Sequence, residues 1–192
     1  MTTEPLATAG TVIVRPALVG DADAMARVFV DSFRAGHRGQ VPENVLQSRT
    51  YESSAAAWRR DLTAPSPGEY ISVATIGGEV VGLAMVGPPH PWADDDTARG
   101  EVPTAECWAL YVDPSRQREG IGRLLIGDFS RHLAGQGIRR LLVGVLTANA
   151  PARAFYESLG AALIGSRLNL DEGQTFPESV YAWPDLPTKV LD

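Results

Sequence analysis

The residues with the clearest chemical potential lie between Val112 and Leu125, VDPSRQREGIGRLL. A strand ends there, a short loop passes, and Gly120-Ile121-Gly122 opens a helix. The first amides of a helix have no partner within it and carry the positive end of its dipole. Two glycines let an anion come close to those amides, so the turn suits a phosphate or pyrophosphate. Three readings compete. A dinucleotide-binding turn, G-x-G-x-x-G, needs a third glycine where Leu125 stands and an acid further on, where Arg139 and Arg140 stand. A P-loop needs Gly-Lys followed by Ser or Thr, and that triplet is absent. The third is a pair of glycines that only shape a strand-to-helix turn.

Other chemistries are excluded by counting. One cysteine, Cys107, leaves no intrachain disulfide. His37, His90 and His132 are scattered with no ligand spacing, so no zinc site and no metal is expected. Seventeen basic against 23 acidic residues give a net charge of −6 with no basic run, which argues against a nucleic-acid partner. No apolar stretch approaches the ~18 to 20 residues of a membrane span, so no membrane partner is expected. Met1 to Gly10 lacks the basic start and apolar core of a signal peptide, so a cytoplasmic location is expected.

These residues need a scaffold to position them. With 192 residues, 44% apolar and 21% charged, the chain reads as one globular domain that buries roughly 70% of its unfolded surface. The β-branched run at 11–15 predicts a strand. Asp21 offers an N-cap to a helix whose Met25, Val28, Phe29 and Phe33 share one face, with a break at Ala35-Gly36. A second helical stretch is expected over 43–62. Runs at 70–75 and 79–86 around Gly77-Gly78 predict a hairpin. The turn-rich segment 87–103 reads as a long surface loop. A strand at 104–112 leads to the anion turn. Ile121, Leu124, Leu125, Phe129, His132 and Leu133 trace a helical face, and 139–147 reads as a strand covered on both faces. A short helix at 150–159 ends at Gly160, and strands follow at 162–170 and 176–183. The order β-α-α-β-β-β-α-β-α-β-β places the chain in the α/β class.

With the elements in place, the segment resembles the GNAT superfamily of acetyl-CoA-dependent N-acyltransferases. The family's Q/R-x-x-G-x-G/A is matched by Gln117-Arg118-Glu119-Gly120-Ile121-Gly122, after a strand ending Leu110-Tyr111-Val112. A second block resembles the family's Asn followed by aromatic-Tyr-Glu-x-x-Gly: Asn149, then Phe155-Tyr156-Glu157 and Gly160. The resemblance spans about residues 12–183 and implies a mixed central sheet flanked by helices. The expected domain covers 11–185, between a flexible tail at 1–10 and another at 186–192.

The resemblance also implies roles. Gln117, Arg118, Glu119, Gly120, Ile121, Gly122 and Arg123 would form the turn that holds the coenzyme A pyrophosphate. Leu110, Tyr111 and Val112 would pair with pantetheine as an added strand edge does. Glu119 departs from the family, since a carboxylate repels pyrophosphate, and is expected to face solvent. Asn149 would meet the cofactor or hold the splayed strands; it could equally cap the next helix. Tyr156 would protonate the departing thiolate, or be a core aromatic on a short helix.

Glu106 would be the general base, commonly through water in the family, or a salt-bridged strand-end residue. Period 2 puts Glu106, Trp108, Leu110 and Val112 on one face and Cys107 on the other. The acceptor is expected to be a small-molecule cationic amine, met by Phe33, His37, Arg38, Trp58, Trp92 and the run Asp94, Asp95, Asp96. A monomer or homodimer is expected. Alternatives are an acyl-CoA-binding module without turnover, a protein N-terminal or lysine acetyltransferase, and a dinucleotide-binding oxidoreductase.

Overall fold

The computed structural model describes residues 10–90 and 102–187. Both expected tails therefore lie largely outside the described residues, as do Trp92 and Asp94 to Asp96. Among the described residues seven strands form one sheet: β1 (Val12–Pro16), β2 (Tyr70–Ile76), β3 (Glu79–Gly87), β4 (Thr104–Val112), β5 (Arg140–Leu146), β6 (Ala162–Asp171) and β7 (Gln174–Trp183). Their spatial order is β1-β2-β3-β4-β5-β7-β6. Only the β4–β5 pair is parallel. Helix α4 (Ile121–Gly135) makes that crossover, as a parallel connection requires.

Each face of the sheet has its own core. On one face Leu125, Ile126, Phe129 and Leu133 of α4 and Tyr156 of α5 (Ala150–Ser158) pack on Leu141, Val143 and Val145. On the other, Met25, Ala26 and Val28 of α1 (Ala22–His37) and Trp58 of α3 (Tyr51–Thr63) pack on Val73 and Leu83. Burying each large aliphatic or aromatic side chain contributes roughly 1.5–3 kcal/mol. This two-sided burial is why β5 reads as a continuous apolar run.

Three local expectations are corrected. Asp21 does not cap α1 with its side chain. Its carboxylate instead receives Arg15 at 2.7 and 2.9 Å and the Leu18 amide at 2.8 Å. Helix α1 runs through Ala35-Gly36 to His37. The stretch at 43–62 is two helices, α2 (Glu43–Ser48) and α3, because the Thr50 hydroxyl accepts from the Ser53 amide at 3.1 Å and starts a new helix there. The Gly77-Gly78 hairpin forms as expected, with φ of 59° and 92°.

Candidate active site

Strands β4 and β5 pair only over residues 104–107 and 140–143. Beyond that point they part, and a cleft of about 470 Å³ passes between them. It runs from Leu110, Val145 and Tyr156 on the α4–α5 side to Phe33, Tyr111 and Glu178 on the α1–α3 side. Two features place the parting. The β3–β4 register shifts between Met85 and Val86, leaving Trp108 as the extra residue of a bulge, and bulges bend and twist their strand. Gly144 opens the parted stretch of β5. The Asp113 amide donates to the Val81 carbonyl of β3. Alternation then turns the backbone groups of Val112 and Leu110 toward the gap. The Val112 carbonyl there accepts from the Ser32 hydroxyl at 2.8 Å.

The turn after β4 leads directly to this gap. Asp113 accepts from the Ser115 amide at 2.8 Å, which fixes the first bend. Arg118 at φ 71° and Gly120 at φ 83° are both left-handed. Gly120 is the N-cap of α4. The amides of Ile121, Gly122 and Arg123 therefore begin the helix with no intrahelical acceptor. No heavy atom lies within 4 Å of a Cβ built at Gly120, so the approach is open. At Gly122 a Cβ would come 3.1 Å from the Phe155 ring, so its role is close packing of α4 on α5. Glu119 is exposed and lies 3.6 Å from Arg116, and Gln117, Arg118 and Arg123 are exposed as well. The chain therefore presents a helix start, an open left-handed glycine and two exposed arginines, a set that fits a pyrophosphate.

The Trp108 bulge overturns the expected parity of β4. Cys107, Leu110 and Val112 pack in the α4–α5 core, whereas Ala109 and Tyr111 pack in the α1–α3 core. Glu106 thus does not share a face with Leu110 and Val112, and Cys107 does. The Cys107 thiol lines the cleft, and burial pushes it up to about 12, so it stays protonated and a poor nucleophile.

Glu106 is 1% exposed. Its Oε1 accepts from Arg167 at 2.7 Å, and its Oε2 accepts from the His90 amide at 2.8 Å with His90 Nδ1 at 3.2 Å. Burial raises its pKa, but the hydrogen bonds from His90 and Arg167 outweigh that and hold the carboxyl below its usual value. Arg167 also donates to Glu178 Oε2 at 2.7 Å. A Cβ built at Gly144 would collide with the Arg167 guanidinium and lie 2.6 Å from Glu178 Oε2. The absent side chain at 144 is what lets this ion cluster lie across the sheet where β4 and β5 part.

Tyr156 lines the cleft from α5 and packs edge-on against Phe155 and Trp183. Burial raises its hydroxyl well above 10, with the nearby Cys107 and Tyr111 adding to the shift. Asn149 caps α5, its Oδ1 accepting from the Ala152 amide at 3.1 Å, and it also borders the cleft. On the α1–α3 side, Arg49 donates to both Asp171 oxygens at 2.7 Å and lies 4.6 Å over the Phe33 ring. Burial lowers the His37 pKa, so that ring is neutral near pH 7. Phe33, His37 and Trp58 border the cleft as expected, and Arg38 does not.

Sequence reading missed Arg49, Gly144, Arg167, Asp171 and Glu178. A signal existed for Glu178: period 2 along β7 places it with Phe176, Val180 and Ala182, a carboxylate among inward apolar positions. Nothing in the sequence pairs it with Arg167.

Comparison with known proteins agrees with this geometry. Residues 24–161 match the profile of the acetyltransferase (GNAT) family. The chain is 28% identical over 176 residues to the N-acetyltransferase YuaI of Bacillus subtilis, covering 91% of this chain and 94% of that protein. Among solved structures, the paia N-acetyltransferase of Thermoplasma acidophilum in complex with coenzyme A superposes with a TM-score of 0.67 at 16% identity, covering 88% of this chain and 98% of that one. The yncA protein of Salmonella typhimurium with its cofactor acetyl-CoA gives 0.63 at 20% identity, covering 92% and 94%.

Proposed function

Since the chain belongs to the acetyltransferase (GNAT) family and is an N-acetyltransferase, we propose that it moves an acetyl group from acetyl-CoA directly to a small primary amine. The observation that carries this reading is the parting of β4 and β5 beside the α4 turn. The turn suits the pyrophosphate, the backbone of Leu110 and the Val112 amide suit the amides of pantetheine, and the cleft continues to a separate chamber for the acceptor.

In this reading the amine nitrogen forms a bond to the acyl carbon while the carbon–sulfur bond breaks. Holding both reactants in one narrow passage supplies much of the acceleration. The Val112 amide serves the acyl oxygen as it gains charge. Tyr156 faces the departing sulfur from α5. Its raised pKa keeps the proton on the hydroxyl, so it acts as a donor to the developing thiolate. Glu106, with both oxygens engaged, holds Arg167 in place. Thiol release with acetyl-CoA and a panel of primary amines tests the function. Coenzyme binding without release above the hydrolysis background would instead favour a binding module.

A further inference from the structure

We propose that Glu178 receives the acceptor's amine and takes its proton, and that the acceptor is a primary amine with no carboxylate on the carbon that bears it. The inference rests on the acetyltransferase reading of this cleft.

Three carboxylates gather at the acceptor end, and their oxygens can be accounted for singly. Both oxygens of Asp171 accept from Arg49. Glu106 has one oxygen on Arg167 and the other on His90. Glu178 gives Oε2 to Arg167, and no described residue meets its Oε1. The residue is 9% exposed and borders the cleft. That oxygen opens on the cleft with no donor among the described residues, and an ammonium supplies one with a charge. Its place is also right. The Glu178 carboxylate lies against Gly144, at the point where β4 and β5 part and the two halves of the cleft meet.

The cations at this end are committed. Arg49 donates to Asp171 and to the Ser48 hydroxyl, and Arg167 bridges two glutamates. Two guanidinium groups against these three carboxylates leave one negative charge, Glu172 at 3.9 Å from Arg49 adds another, and the neutral His37 offsets neither. An ammonium is complementary to that charge. A carboxylate beside the amine would find no uncommitted cation and would face Asp171 and Glu178. Phe33, Tyr111 and Phe176 line the chamber and give an apolar stem something to pack on. In the reaction the ammonium first gives one proton to Glu178 Oε1, which releases it to solvent; the nitrogen–acyl bond then forms as the carbon–sulfur bond breaks, the nitrogen's second proton passes to Glu178 Oε1, and the thiolate takes one from Tyr156, which recovers it from solvent.

The test pairs amines with their parent amino acids: phenethylamine with phenylalanine, histamine with histidine, tyramine with tyrosine. With acetyl-CoA as donor, the accepted amine should exceed its amino acid at least tenfold in kcat/KM. Glu178→Gln should lower that kcat/KM by about 10²-fold while the acetyl-CoA thermal shift stays unchanged, and Glu178→Asp should restore part of it. Amino acids used as well as their amines would overturn the proposal. So would a Glu178→Gln protein within threefold of the parent, or an intact acetyl-CoA shift with no amine of the panel acetylated. Should Glu178→Gln not fold, the amine pairs and Glu178→Asp decide. An absent acetyl-CoA shift in the parent protein would mark failure of the acetyltransferase reading itself.

Discussion

Tyr156 and Glu106 are both buried, yet their surroundings push their protons in opposite directions. Burial, with Cys107 and Tyr111 nearby, keeps the Tyr156 hydroxyl neutral, while hydrogen bonds from His90 and Arg167 keep Glu106 ionised. Tyr156→Phe leaves the ring packing on Trp183 and removes only the donor. We expect kcat to fall about 10²-fold with the KM for acetyl-CoA nearly unchanged, as steady-state kinetics can show. A loss under tenfold would return Tyr156 to a core aromatic. Glu106→Gln breaks one arm of the Arg167 cluster and should cost up to about 3 kcal/mol in urea unfolding at pH 7. Its carboxyl is depressed in the folded state. The stability it contributes is therefore present above the unfolded value of about 4.3 and lost as pH falls through the folded value. The gap between parent and variant should shrink at acid pH, and a gap that widens there would contradict the ionised assignment.

At the level of elements, the turn between β4 and α4 depends on backbone conformation more than on side chains. Gly120 holds φ 83°, which a β-branched residue adopts only under strain of order 1–3 kcal/mol. Gly120→Val should weaken acetyl-CoA binding at least tenfold by calorimetry, because relaxing the strain moves the amides of Ile121 and Gly122. Unchanged affinity in a folded variant would remove the turn from the coenzyme site. Glu119, exposed beside Arg116, is free to be reversed: Glu119→Lys should leave coenzyme affinity equal or slightly tighter, within about 1 kcal/mol. A marked loss would mean that this carboxylate shapes the turn.

The whole molecule joins two separately packed halves across one sheet, and the cleft lies where they meet. A ligand that fills both the turn and the strand gap should therefore stabilise the entire fold. Acetyl-CoA at about 100 times its Kd adds about 2.7 kcal/mol, or roughly 5–10 °C in Tm for a chain of this size. NAD and ATP can use only the turn and should shift Tm far less in the same melting experiment. Equal shifts from all three would reduce the site to generic phosphate binding.

Local signals carried most of the architecture. The Gly77-Gly78 hairpin, the helical face of Leu125 and Phe129, and the unbroken apolar run of β5 each follow from neighbours along the chain, where periodicity and turn chemistry act. The turn into α4 was legible for the same reason, since its glycines and its helix start are contiguous. What only the tertiary structure decided lies between distant strands. The bulge at Trp108 is set by how β4 pairs with β3, and one extra residue exchanges the faces of Glu106 and Cys107. Arg167 reaches Glu106 because β7 inserts between β5 and β6 and Gly144 leaves the space, a contact across 61 residues that no local pattern encodes. The α1–α3 end of the cleft is built from such contacts. Its charge balance depends on which carboxylate each arginine reaches, and that follows from strand order and register.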